Sequence, residues 1–316
     1  MKKHGISLVL LAIFTLLLVG LFLFHDLTGN RDYVLERRAW KVAALLLVAW
    51  SIGYSSVVFQ TLTGNRILTP SIMGFEAVYL LFQSIIVFLY GDKTFRVLTE
   101  SRNFGWSVLM MLGFAVLIYL FVFRREKNNM YFLLLTGLIL GTLFSTLSSF
   151  VQMLLDPNEF SLVEARIFAS FNKMNTSLIS YAAGAGGLML VLAVRYHKYL
   201  DVLALGREQA INLGVNYNRV VAVFLFIISV LVSVSTALVG PITFFGILVT
   251  NLTYELFKTH RHSVLLPACG LISCITLVAG QLMVERVFNM STTISILINF
   301  IGGAYFLYIL LTAKKL

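Results

Sequence analysis

Charge is scarce in this sequence. Of 316 residues only 12% are Asp, Glu, Lys or Arg, about half the share found in soluble domains. In its place, 59% of the chain is hydrophobic and the mean hydropathy is +0.90. An ordinary soluble domain is thereby excluded. Apolar stretches of about 18 residues or more recur along the chain and read as transmembrane helices. The alternating segments of about ten residues that mark a porin-type barrel are absent.

Cysteine and proline are also rare. Cys269 and Cys274 share one apolar span and lie on different sides of it, so a mutual disulfide is not expected and both read as small buried residues. The four prolines, Pro70, Pro157, Pro241 and Pro267, fall at expected span boundaries. No GxxxxGK[ST] is present, so the chain has no P-loop for hydrolysing ATP. HExxH and CxxC are missing, and no metal-ligand cluster stands out. His4, His25, His197, His260 and His262 fall at span ends or in loops. His260 and His262, on either side of Arg261, read as a solvated polar face. No Ser/His/Asp arrangement is visible. The sequence argues against an enzyme.

What is there is an all-α bundle of about ten spans in a single transmembrane domain over 1–316. The spans are expected near 6–24, 42–60, 71–90, 104–123, 130–154, 177–195, 218–239, 243–257, 264–284 and 293–312. The run 6–24 exceeds the h-region of a signal peptide and has no small-x-small cleavage site after it, so it is expected to stay as the first span. Ten spans place both termini on one side. That side carries 14 Lys/Arg against 4 Asp/Glu, and the other 10 against 9. The Lys/Arg bias favours the terminal side as cytoplasmic. The basic balance is thus a topology signal, and nucleic acid is not an expected partner.

Small residues crowd "GLILGTLFSTLSS" (137–149) and "AAGAGG" (182–187), which suits close helix packing in lipid. Ionisable residues inside the spans are few. The clear case is Glu76 in "PSIMGFEAVYLL", about six residues into its expected span, either a structural polar contact or part of a translocation path. One acid is thin support for a proton-driven carrier.

The stretch "LDVLALGREQAINLGVNYNRV" (200–220) breaks the apolar pattern. As a helix over 202–213 it places Val202, Leu205 or Leu203, Ala210 and Leu213 on an apolar side, with Arg207, Glu208 and Asn212 elsewhere. Gly214 is a natural stop. The segment is too short to span. It suits either the membrane interface or a groove on another protein.

"LGREQAINLG" (205–214) also resembles the cytoplasmic coupling segment of the FecCD-type permeases, the membrane subunits of binding-protein-dependent ABC importers for iron-siderophores, haem and cobalamin. "GPITFFGILV" (240–249) is similar to their G-P-I-x-F-x-G-L-x-x, "RHSVLLPACGL" (261–271) to D-H-R-x-L-L-P-x-x-x-L, and "IGGAYFLYILL" (301–311) to I-G-A-P-x-F-x-x-L-L. Gln60, Asn65, Pro70 and Met73-Gly74 match a further motif. The resemblance covers about residues 35–316. Trp40, Thr250 and Asn251, "TTIS" (292–295) and Gly302-Gly303-Ala304 depart from the family pattern. With "NRILTPSIMGFE" and "MLLDPNEF", they resemble the second permease of catecholate or petrobactin-type siderophore importers.

The resemblance implies a type II ABC importer permease, a non-catalytic subunit passing ferric siderophore across the membrane. It implies a second permease subunit (a heterodimer is favoured), two ATPase subunits carrying ATP and Mg, and an extracytoplasmic siderophore-binding protein. No cofactor is expected on this chain. The coupling segment would be about 199–216, with Leu205, Gly206, Ala210, Leu213 and Gly214 matching the motif and Arg207 and Glu208 exposed beside them. Arg38 and Lys41 occupy positions that resemble docking points for the binding protein, with Arg286 a third. Asn128 and Asn129 fall where the family places part of its cytoplasmic gate. The competing reading is a secondary transporter or channel for a small solute.

Overall fold

The computed structural model describes residues 2–25, 31–94, 98–123, 130–172 and 174–312. Among them there is no β-strand. The helices are α1 Lys2–Phe24, α2 Arg31–Thr63, α3 Phe75–Tyr90, α4 Glu100–Ile118, α5 Met130–Met153, α6 Pro157–Ile167, α7 Thr176–Tyr196, α8 Leu200–Leu203, α9 Arg207–Asn212, α10 Tyr217–Val239, α11 Phe245–Phe257, α12 His262–Arg286 and α13 Ile294–Thr312. Short 3-10 turns precede α3 and α8.

Three helices form the centre. α2 packs against α12, α10, α11 and α7, and α2, α10 and α12 are buried over most of their apolar length. Small residues permit this. Ala44, Ala49, Ser55 and Ser56 of α2 are fully buried, and a Cβ on Gly53 would lie 2.4 Å from Ser273 Oγ of α12. In lipid, helices associate by such close van der Waals packing, because the solvent is as apolar as the side chains. α1, α4, α5 and α7 are peripheral, and their outer faces show bare Leu, Ile, Val and Phe.

Seven helices, namely α1, α2, α4, α5, α7 with its extension, α10 and α12, are long and apolar enough to cross a membrane. Three further apolar helices, α3, α11 and α13, fall short of that criterion. The ten spans expected from the sequence are therefore not established as ten crossings. α3 and α11, with 16 and 13 residues, reach only about 24 and 20 Å, against a hydrocarbon core of about 30 Å.

Other expectations need correcting. α2 begins eleven residues before the expected span at 42, since charged residues end an apolar run without ending a helix. Pro267 sits inside α12 rather than at its boundary. α6 was not expected; Pro157 at its first position suits a helix start.

Candidate functional site

The two short helices begin side by side. The chain leaves α2 and is held against the bundle on its way to α3. Gln60 Nε2 donates to the Arg66 carbonyl (2.8 Å) and to Thr250 Oγ1 (2.9 Å). Asn251 Nδ2 also donates to the Arg66 carbonyl (3.2 Å), and the Arg66 guanidinium lies 4.7 Å from the centre of the Tyr254 ring. Thr250 and Asn251, which depart from the family motif, thus fasten this segment to α11. Asn65 Oδ1 accepts from the Ile67 amide (2.9 Å) and sets the turn.

Glu76 stands where the helices start. It is the second residue of α3, not six residues into a span. Its Oε1 accepts from Ser71 Oγ (2.8 Å), and its Oε2 accepts from Thr243 Oγ1 (2.7 Å), two residues before α11. A carboxylate suits this place, because the first turns of both helices present unpaired N–H groups and the positive ends of their dipoles. Glu76 is half-buried and Thr243 is exposed. Ser56, Thr69 and Thr236 line a small cavity beside the carboxylate, together with Ile52, Val232 and Ile242.

The coupling-segment candidate is a pair of short helices rather than the single helix expected over 202–213. Gly206 (φ +96°) separates α8 from α9, and Gly214 (φ +80°) stops α9. Left-handed backbone at both points favours glycine. The break splits the apolar side in two. Leu200, Leu203 and Ala210 are buried in the bundle, whereas Leu205, Ile211 and Leu213 are exposed by 60, 50 and 63%. Arg207 and Glu208 are exposed beside them, and the Arg207 guanidinium lies 5.8 Å from the centre of the Tyr217 ring.

His262, read from the sequence as part of a solvated loop face, is the first residue of α12 and only 2% exposed. Asp201 Oδ1 accepts from the His262 amide (2.9 Å) and faces its Nδ1 at 2.6 Å. On the other edge of the ring, Nε2 lies 2.7 Å from Thr61 Oγ1 of α2. Sequence reasoning missed this cluster because Asp201 and Thr61 lie 61 and 201 residues from His262.

At the opposite end of the bundle, Lys41 is not an open charge. Its Nζ meets Glu285 Oε1 at 2.7 Å and Asn172 Oδ1 at 2.8 Å, with side chains of the ion pair 16 and 12% exposed. Gln281 Nε2 donates to both partners. Arg38 Nη1 donates to the carbonyls of Phe22, Leu23 and His25 (3.4, 3.1 and 2.7 Å), and Arg286 Nη2 to that of His25 (3.1 Å). The two guanidinium groups converge on the last carbonyls of α1, the negative end of its dipole. The structure thus brings Arg38 and Arg286 together and fastens Lys41 to α12. Asn128 and Asn129 lie outside the described residues. No group of three or more His, Cys, Asp or Glu able to hold a metal occurs among the described residues.

Residues 6–312, nearly the whole chain, match the FecCD transport family. This chain belongs to the FecCD transport family. Among FecCD relatives it is 50% identical over 313 residues to the petrobactin import system permease protein YclO of Bacillus subtilis, covering 99% of both chains. It is 32% identical to the petrobactin import system permease protein FatC of Bacillus anthracis, covering 90% of this chain and 80% of that one. The fold matches a solved ABC transporter described as of the metal-chelate type, in an inward-facing conformation. The TM-score is 0.83 over 98% of each chain, at 22% identity.

Proposed function

We propose that this chain is a permease subunit of an ATP-driven importer that carries a ferric siderophore of the petrobactin class across the plasma membrane. The similarity to YclO over 99% of both chains carries the substrate class. The exposed α8–α9 segment carries the mechanism. Leu205, Ile211 and Leu213 are bare on a pair of helices too short to span, with Arg207 and Glu208 beside them. Such an apolar surface rimmed by charge suits a groove on a protein partner. The partner is an ATPase pair carrying ATP and Mg, while this chain is non-catalytic. A second, non-identical permease completes the path, and both termini face the cytoplasm.

In this reading Glu76 and Thr243 sit on the path. Bound substrate would meet a carboxylate poised between two helix starts near mid-bundle, as discontinuous helices offer in other transporters. Arg38 and Arg286 face an extracytoplasmic binding protein and steer it more than hold it. Lys41 supports that surface through Glu285. The residues 128–129 are offered as part of the cytoplasmic gate.

Ala210→Asp tests the assignment. Ala210 is fully buried under α9, so a carboxylate there lifts the segment from the bundle while the spans still insert. Uptake should fall by at least tenfold with the chain still in the membrane. Normal uptake by this variant would remove the docking role. A secondary carrier would instead depend on Glu76 and run without an ATPase. Purification of the tagged chain from its own host's membranes in mild detergent separates the two readings: an ATPase and a second permease accompany an importer subunit.

A further inference from the structure

The ATPase-facing segment is joined to the centre of the bundle by the buried Leu200, Leu203 and Ala210 and, beside them, by one imidazole. Asp201, the second residue of α8, holds the His262 amide and Nδ1 with a single carboxylate oxygen at 2.9 and 2.6 Å. A carboxylate beside Nδ1 favours the tautomer that carries the proton there, which leaves Nε2 as an acceptor. Thr61 Oγ1 lies 2.7 Å from Nε2, and its one proton can go either to that nitrogen or to the Val57 carbonyl at 2.9 Å. Three elements, α8, α12 and the cytoplasmic end of α2, therefore meet on one rigid ring that is 2% exposed.

A helix cap alone would not need this arrangement. The bond from the His262 amide to Asp201 already satisfies the start of α12. The Thr61 hydroxyl also has a ready partner in the Val57 carbonyl at 2.9 Å. α8 packs on α2 directly, and the ring adds to that contact a polar link that capping leaves unexplained. The two helices it reaches are also fastened at their other end, where Lys41 of α2 meets Glu285 of α12 at 2.7 Å. α12 has 25 residues and is about 38 Å long. α2 and α12 are thus tied to each other near both ends, a continuous route from Asp201 to Arg286 at the far end of α12.

We propose that Asp201, His262 and Thr61 form the strut that carries motion of the ATPase-facing segment into the α2–α12 pair. All three are positioning residues of transport. The proposal rests on the reading of 200–216 as the ATPase contact.

The test uses the complete importer in proteoliposomes, with the binding protein and petrobactin loaded with radioactive iron. The readout is iron transported per ATP hydrolysed. His262→Asn places an amide near the Nδ1 position and loses Thr61. His262→Gln places one near Nε2 and loses Asp201. Both variants, and Thr61→Val, should lower the ratio by about tenfold, within the usual range of coupling between sites. His262→Asn combined with Thr61→Val should be no worse than either alone, since both cut the same link. Thr61→Ser keeps the hydroxyl and should restore the ratio. Unchanged ratios, or losses that simply add in the double variant, would overturn the strut. Should Thr61→Val fail to fold, the His262 pair and Thr61→Ser still decide the matter. Co-purification of the ATPase with each variant is scored separately: a wild-type chain that retains no ATPase overturns the contact reading itself, whereas retention with unchanged ratios overturns only the strut.

Discussion

Two helices carry glycine-rich stretches, and the bundle uses them differently. In α5, Gly137 and Gly141 face the start of α3 across bare backbone. A Cβ on Gly137 would lie 2.9 Å from the Met73 Cα, and one on Gly141 would lie 3.0 Å from the Gly74 Cα. Further along the same face, Ser148 Oγ and Gln152 Nε2 each meet Ser84 Oγ of α3 at 2.9 Å. In α7, Gly184, Gly186 and Gly187 have nothing of this chain within 4 Å of their missing Cβ positions. Gly186 and Gly187 instead border an apolar cavity of about 230 Å³ against Trp50 and Tyr54 of α2. A small-residue stripe therefore marks a permitted close approach, and only the fold says whether the approach is made within the chain. The α5 stripe positions Gly74 and, two residues on, Glu76.

The contrast is sharpest with a large side chain. Gly137→Leu or Gly141→Leu drives four carbons into the backbone before α3 and should cost about 3 kcal/mol or more. The measure is loss of folded chain on heating in detergent, together with loss of uptake. Gly137→Ala meets the same backbone with one carbon and should cost about 1–3 kcal/mol. In α7 the sign reverses. Gly186→Ala adds a methyl group toward the cavity and relieves a helical glycine, so thermal stability should rise by about 0.5–1 kcal/mol. The smallest change is expected for Gly184→Ala, a rise set by helix propensity alone. A destabilised Gly186→Ala chain, or an unaffected Gly137→Leu chain, would break the comparison.

Much of this was legible in the sequence, and the rest was hidden for definite reasons. Apolar runs marked α5, α7, α10 and α12 within two residues of their observed ends, because burial in lipid and length act on the same residues. The "GLILG" pattern pointed to close packing, and its partner proved to be the segment entering α3. The outer eleven residues of α2 were missed because hydropathy sees Asp32, Glu36 and Arg37 as loop while the helix continues through them. Pro267 looked like a boundary, yet it lies in the second turn of α12, and the helix continues past it to Arg286.

The site was legible in part. Gly214 announced a stop, but the helix expected to run through Gly206 is broken there, which leaves Leu203 and Ala210 in the bundle and Leu205 and Leu213 exposed. Lys41 read as an open charge because Glu285 lies 244 residues away. His262 read as a loop residue beside His260 and Arg261 for the same reason. Glu76 was singled out by its charge alone; its pairing with Thr243 follows from two short helices starting together, which no local pattern encodes.

The most direct test of the account is a photo-crosslinking residue placed in turn at Leu213, on the exposed side of α9, and at Gly184 of α7, in membranes of the native host. The account predicts that position 213 captures an ATPase subunit in good yield and position 184 captures none. Capture of the ATPase from 184 but not 213, or from neither position with the complex intact, would contradict it.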